Sequence, residues 1–344
     1  MNTRDLNSLK ILLNDLLTKE QLHNLLKDYW ESNKKIIKLS GSKDDMIESC
    51  LNALRNDVIS YDIILNLIQE AEEYGNQYIY LYKSHNEEIK TKLNNGDFVK
   101  EKLFSFNEHD SFPKLIGNPS GIEWSDFRYP NKGVENTWVA KMYDVIEKYY
   151  YHKDERDGDY LRKVYKKRSE RVAYIVHWEG QKNTLEYKIT RSVNFDKNGK
   201  INSRVSINTQ MLNAYDINKD FLIIDLKEAI TKILKDANKT KVFNVKRTNL
   251  IDKLDGITTI RPHNKDKETV FSSPLRSNTI DNFINNGGQG SGVVMTFLKS
   301  GSKGELSSNI NVYIGIDAVN EIVISSRISL KEYNYVRRNI AKYL

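Results

Sequence analysis

Glu186-Tyr187-Lys188, inside a stretch rich in β-branched and aromatic residues, sets a carboxylate and an ammonium two positions apart, on one face of a strand. Such a pair can hold Mg2+ and orient a water for phosphodiester hydrolysis, provided a second carboxylate joins it from a neighbouring strand. No Asp stands where that strand would supply it: apart from Glu170 and Glu179, the nearest upstream acids are Asp157 and Asp159. The run Asn286-Gly287-Gly288-Gln289-Gly290-Ser291-Gly292 has the glycine content of a phosphate cradle, but it precedes a strand and lacks a Lys-Ser/Thr ending, so it reads as a hairpin or lid loop. Asp196-Lys197-Asn198-Gly199 begins like a calcium loop, lacks the later bidentate Glu, and reads as a turn. The six histidines lie far apart with no His-x3-His pair, and Cys50 is the only cysteine. No disulfide can form within the chain, zinc would need mostly His and carboxylate ligands, and no Ser/His/Asp or Cys/His set assembles. No catalytic residue, metal site or cofactor is therefore assigned, and a binding protein is favoured over an enzyme.

Charge is the stronger signal. The 344 residues carry a formal +7, yet residues 1 to 110 hold 14 Lys/Arg against 19 Asp/Glu, while residues 160 to 204 hold 12 basic against 4 acidic side chains. A polyanion is drawn to the second region first. Arg162, Lys163, Lys166, Lys167 and Arg168, with Arg171 beyond, fit a basic helix on which 162/163 and 166/167 share a side at four-residue spacing and span adjacent phosphates, with Tyr160 and Tyr165 interleaved. The strands that follow add Lys182, Lys188, Arg191, Lys197, Lys200 and Arg204. A second run, Lys34, Lys35, Lys38 and Lys43, has no acid between its members.

The elements that must position these groups follow from periodicity. Leu6, Leu9, Leu12, Leu13, Leu16 and Leu17 form a helical stripe, and Thr18 with Gln21, then Ser42 with Asp45, make capping boxes for two further helices. Ser60 caps a fourth, so the first 75 residues read as a bundle. Residues 76 to 94 read as its helical extension, although Tyr78-Ile79-Tyr80-Leu81-Tyr82 has strand propensity too. Prolines and glycines make 94 to 136 an irregular connector. Helices are expected over 137 to 151 and 159 to 168, then strands over 172 to 178, 185 to 195 and 201 to 209, the last two joined by the 196 to 199 turn, with His177 and Trp178 on opposite faces. A helix over 226 to 234, strands at 257 to 260, 293 to 298, 311 to 316 and 321 to 325, and a final helix capped by Ser329 complete an α+β chain. The expected units are a bundle over 1 to 93, the connector, and an α+β domain over 137 to 344. The N-terminus has no secretory pattern and no run of about 18 apolar residues occurs, so an intracellular protein without a membrane span is expected.

The segment from Leu17-Thr18-Lys19-Glu20-Gln21-Leu22 to Ser42-Lys43-Asp44-Asp45-Met46-Ile47 resembles the SAP motif, two short amphipathic helices joined by an extended loop with a Gly and a Lys before the second helix. In that family the loop and the second helix's N-terminus contact DNA backbone, which implies the same for Lys34, Lys35, Lys38 and Lys43. The link here, from about Glu31 to Gly41, is longer than SAP usually has, and the alternative is another all-helical module. The order of bundle, second helical segment, meander and closing hairpin is similar to the kinetochore family of centromere protein N, which binds chromatin. Glu186-x-Lys188 has the form seen in the PD-(D/E)xK nuclease fold. The preferred expectation is double-stranded DNA binding through Lys34, Lys35, Lys38, Lys43, Arg162, Lys163, Lys166, Lys167, Arg168, Arg171, Lys188 and Arg191, within a larger assembly of protein partners. The alternatives are a Mg2+-dependent nuclease and a protein scaffold without nucleic acid.

Overall fold

The leucine stripes close on one another as four helices, α1 (Thr3–Leu16), α2 (Lys19–Trp30), α3 (Lys43–Arg55) and α4 (Tyr61–Glu73). The structure, a computed structural model, describes residues 3–103, 119–129, 136–191, 197–237, 240–264 and 268–344. Both capping boxes form: the Gln21 N–H donates to Thr18 Oγ1 while the Thr18 N–H donates back to Gln21 Oε1, and Ser42 and Asp45 repeat the exchange. Ser60 precedes α4 without a side-chain cap bond. Leu9, Leu13, Leu17, Leu22, Leu26, Met46, Ile47 and Cys50 are buried together. The link between α2 and α3 joins this core through Ile37, and the Lys38 N–H donates to Ser49 Oγ at 2.9 Å.

Beyond Gly75 the chain departs from the expected helical extension. Residues Gln77–Ser84 form β1, a central strand of an antiparallel sheet, and only then does a short helix, α5 (Glu87–Leu93), appear. Tyr78, Tyr80 and Tyr82 face one core while Ile79 and Leu81 face another. A strand covered on both sides is apolar at nearly every position, which hides the period of two that marks a half-exposed strand. The described part of the expected connector holds α6 (Gly96–Leu103) and β2 (Glu123–Arg128), so it is not wholly irregular.

The two expected helices that follow are one long hairpin, β3 (Thr137–Asp157) and β4 (Tyr160–Glu179). Trp138, Ala140 and Met142 point into one core, whereas Val139 and Tyr143 lie on the opposite face in a smaller cluster with Ala173 and Ile175. Apolar residues on both faces reproduce helical spacing by accident. β5 (Thr184–Thr190) follows, shorter than the expected 185 to 195, whose last positions lie partly outside the described residues. Helix α7 (Lys197–Met211) stands where a strand and a hairpin turn were expected. Its buried stripe is Lys200, Ser203, Ile207 and Met211, half of it polar, so hydrophobic periodicity could not reveal it.

The remainder runs α8 (Ile217–Asp220), β6 (Phe221–Ile223), α9 (Lys227–Ala237), β7 (Phe243–Ile251), β8 (Ile257–Ile260), α10 (Pro274–Asn285), β9 (Gln289–Phe297), β10 (Ile310–Ile314), β11 (Glu321–Ile324) and α11 (Leu330–Ala341). Ser329 caps α11 with Glu332 as expected. Among the described residues the sheet has eleven strands in the order β2-β3-β4-β5-β1-β11-β10-β9-β7-β8, with β6 on the end of β1. Helices α9, α10 and α11 bury the face bearing Ile79, Ile322 and Ile324, and α7 packs on the face bearing Tyr80, Trp178 and Tyr187. The architecture is α+β.

The bundle is held to the sheet by buried ions. Glu72, at the end of α4, accepts from Lys141, Arg171 and, at 2.7 Å, from the Tyr143 hydroxyl; Glu73 and Asp126 share Arg128. Arg327 also donates to the Asp15 carbonyl of α1.

Candidate nucleic-acid interface

The β3–β4 pairing runs unbroken from Thr137 opposite Glu179 to Asp157 opposite Tyr160, apart from one bulge between Tyr151 and Lys153. β2 leaves β3 at Tyr143 and β5 leaves β4 at Tyr174. From Val145 and Val172 outward the hairpin has no further strand on either edge among the described residues. Some 13 residues per strand at about 3.3 Å each make a two-stranded ribbon on the order of 40 Å long. Its turn passes through Gly158, whose φ of +60° suits glycine. The two-residue loop Gly158-Asp159, with glycine first, is a dipeptide that marks such turns, and it was the sequence signal for this hairpin.

The basic residues expected on one helical side are therefore dealt alternately to two faces of a strand. Arg162 and Lys166 lie on one, and Lys163 and Lys167 on the other with Tyr165. Arg162 pairs with Asp157 at 2.6 Å and Lys167 with Glu147 at 2.5 Å, both in solvent, where such pairs hold a side chain weakly. Lys163 and Lys166 are exposed. The backbone of Arg168 pairs with that of Lys148, and its side chain lies outside the described residues. Arg171 does not belong to the exposed set. It sits at the ribbon base, stacked 4.0 Å from the Tyr143 ring centroid and bonded to Glu72.

The ribbon also displays tyrosines that charge counting overlooked. Tyr149, Tyr151, Tyr160 and Tyr165 are all more than half exposed, with Tyr160 at 75% and Leu161 beside it at 62%. Tyr151 and Tyr165 face each other across the strands with ring centroids 6.2 Å apart. Solvated aromatics beside cations are what sequence-tolerant nucleic-acid surfaces use. The Tyr149-Tyr150-Tyr151 run before the turn was the available clue.

In the bundle, Lys34 lies 4.5 Å from the Trp30 ring centroid and pairs with Glu31 at 3.0 Å, and Lys35 and Lys38 are exposed. Lys43 is spent on structure, donating to the Asn14 carbonyl near the end of α1, and both burial and nearby Arg327 depress its pKa. Lys188 is buried in a cleft, and the Arg191 N–H donates to the Asn76 carbonyl at 2.6 Å. Neither Arg171 nor Lys188 offers an open cation to a polyanion.

Glu186 and Lys188 share a strand face as expected, but their neighbours are Arg337 and His177 instead of a second carboxylate. Among the described residues no three His, Cys, Asp or Glu side chains converge as a metal-holding group. Glu186 is held well below the usual carboxylate range: burial opposes its charge, and Arg337, Lys188 and His177 more than offset that. The glycine loop has a packing explanation. A side chain at Gly290 would strike Ile230, the Gly290 N–H donates to Thr231 Oγ1 at 2.9 Å, and Gly287 takes a φ of +89° as the chain leaves α10. No helix among the described residues is long and apolar enough to cross a membrane. No known family model matches this chain, and none of the curated proteins matches it.

Proposed function

We propose that this protein binds double-stranded DNA chiefly through the phosphate backbone, with the β3–β4 ribbon as the principal contact and Lys34, Lys35 and Lys38 of the bundle as an auxiliary one. The observation that carries this reading is the ribbon itself: a projecting hairpin whose exposed Arg162, Lys163, Lys166 and Lys167 stand among exposed tyrosines. The major groove of B-form DNA is about 12 Å wide and admits a two-stranded β-ribbon. Cations on both faces of such a ribbon reach the phosphates on both groove walls, which a single helical side does not. The test is a titration of duplex DNA across salt concentrations, in which log affinity falls by about 0.9 per log unit of salt for each phosphate neutralised.

One observation favours a second reading, a scaffold for protein partners. The ribbon end combines exposed Tyr160 and Leu161 with Asp154, Glu155, Asp157 and Asp159, a surface that repels phosphate and suits a basic, partly apolar protein. Absence of DNA binding at low salt would transfer the ribbon to that role.

A further inference from the structure

A cleft of about 760 Å3 opens between the ends of β3, β4 and β5 on one side and α11 with the end of α4 on the other. It lies on the same sheet face as the bundle, and none of its walls comes from the free part of the ribbon. Its floor carries more positive charge than the protein neutralises. Among the described residues Glu186 is the only carboxylate between two permanent cations: one oxygen accepts from Arg337, and the other lies 3.5 Å from both Lys188 Nζ and His177 Nδ1. The other acids of the cleft are committed, Glu179 to Lys182 at 2.8 Å and Glu73 to Arg128. Lys188 is 5% exposed, and its ammonium is 4.8 Å from the Tyr333 ring centroid and 6.0 Å from that of Tyr74. Burial disfavours its charge, yet Tyr333 and Glu186 keep its pKa above the ordinary lysine value, so it stays protonated.

On these walls Arg337 Nη1 is buried without a hydrogen-bond partner among the described residues, His177 Nδ1 has the long 3.5 Å approach to the Glu186 oxygen that Lys188 also shares, and the Tyr333 hydroxyl, on a side chain only 6% exposed, lies against the Lys188 ammonium. An unmet donor beside an uncompensated buried cation is costly, and an oxyanion relieves both deficits at once. We propose that this cleft binds a small phosphate-bearing molecule, with the phosphate between Lys188, Arg337, His177 and Tyr333. The volume suits a ligand of mononucleotide size. The tetrahedral anion offers enough acceptors for all four groups, and the inference is independent of the ribbon's role.

The experiment is isothermal titration of the full chain with inorganic phosphate and with AMP, each against sodium chloride of matched ionic strength. Saturable binding of either probe is expected. Tighter binding of AMP names a nucleotide and equal affinity names the free ion, both in support. Tyr333→Phe removes one hydroxyl and keeps the ring beside Lys188, so it should fold normally and weaken binding about tenfold, the scale of one hydrogen bond to a charged group. Lys188→Met leaves the Glu186–Arg337 pair in place and should abolish binding, while Lys163→Glu with Lys166→Glu should leave it unchanged. No saturable heat from either probe would overturn the proposal, as would wild-type affinity in a folded Tyr333→Phe.

Discussion

Two kinds of basic residue are superimposed in this chain, and their partners separate them. Arg171 and Lys188 stand in buried ionic clusters, whereas Lys163, Lys166 and Lys167 project into solvent. Reversing Lys163, Lys166 and Lys167 to Glu should therefore weaken duplex binding far more than reversing Lys34, Lys35 and Lys38, with both proteins folded, because exposed charges contribute little to stability. Fluorescence anisotropy with a labelled duplex compares them, and equal losses would move the principal contact to the bundle. The buried acids behave differently. Glu72 is depressed below its usual pKa because Lys141 and Arg171 outweigh the burial that opposes its charge. A depressed carboxylate adds stability above its unfolded value, about 4.3, and that stability is lost as pH falls toward the folded value. Glu72→Gln should cost about 3–5 kcal/mol at neutral pH, by leaving Lys141 and Arg171 underpaired, and should flatten the loss of stability between pH 5 and acid. Urea midpoints measured across that range check both. The charge excess at 160 to 204 was visible in sequence. Which of its members are buried was not, because burial is decided by Glu72, Arg337 and Tyr333, far away along the chain.

Legibility at the level of elements depended on how many faces of each element are covered. The bundle helices, their capping boxes and α9 were readable because one side meets water, and β8 to β11 were read approximately, β11 from its short apolar run although all four of its residues are buried. β1 and the base of β3 were misread as helices because apolar residues occupy both of their faces, and α7 was misread as a strand because Lys200 and Ser203 hold half of its buried stripe. The ribbon was hidden for another reason. Its alternating Tyr, Lys and Glu have no core to alternate against, so only Gly158-Asp159 announced it. Since nothing but its own two strands pairs beyond Val145 and Val172 among the described residues, the ribbon should be removable. Joining Ile146 to Glu170 through Asn-Gly keeps Arg171 on Glu72 and should leave the thermal midpoint within a few degrees of the parent. Loss of the folded state in that variant would show that the ribbon packs on the rest of the molecule.

On the scale of the molecule, the bundle and the sheet are stitched together by β1. The strand follows α4 directly, yet it lies between β5 and β11 in the middle of the sheet. A fragment beginning at residue 94 loses that strand and exposes both of its neighbours, so it should fail to give a cooperative transition by circular dichroism, while the intact chain should give one. A folded 94–344 fragment would mean that β5 and β11 can close on each other without β1. The same arrangement explains how a ribbon on the order of 40 Å can project without collapsing. The hairpin is anchored at its sheet end by Trp138 and Trp178, whose indole N–H groups donate to the Leu93 carbonyl and Asn94 Oδ1, and at the ribbon base by the Glu72 cluster of the bundle.

The central claim is that the projecting ribbon is the DNA contact, and the most direct measurement of it is duplex affinity against salt for the intact protein beside the variant in which Asn-Gly joins Ile146 to Glu170. The account predicts steeply salt-dependent binding by the intact chain, and a variant with the same thermal midpoint but a far weaker affinity and a slope shallower by about 0.9 for each phosphate that the ribbon no longer neutralises. A folded variant that binds duplex DNA with the parent's affinity and slope would contradict it.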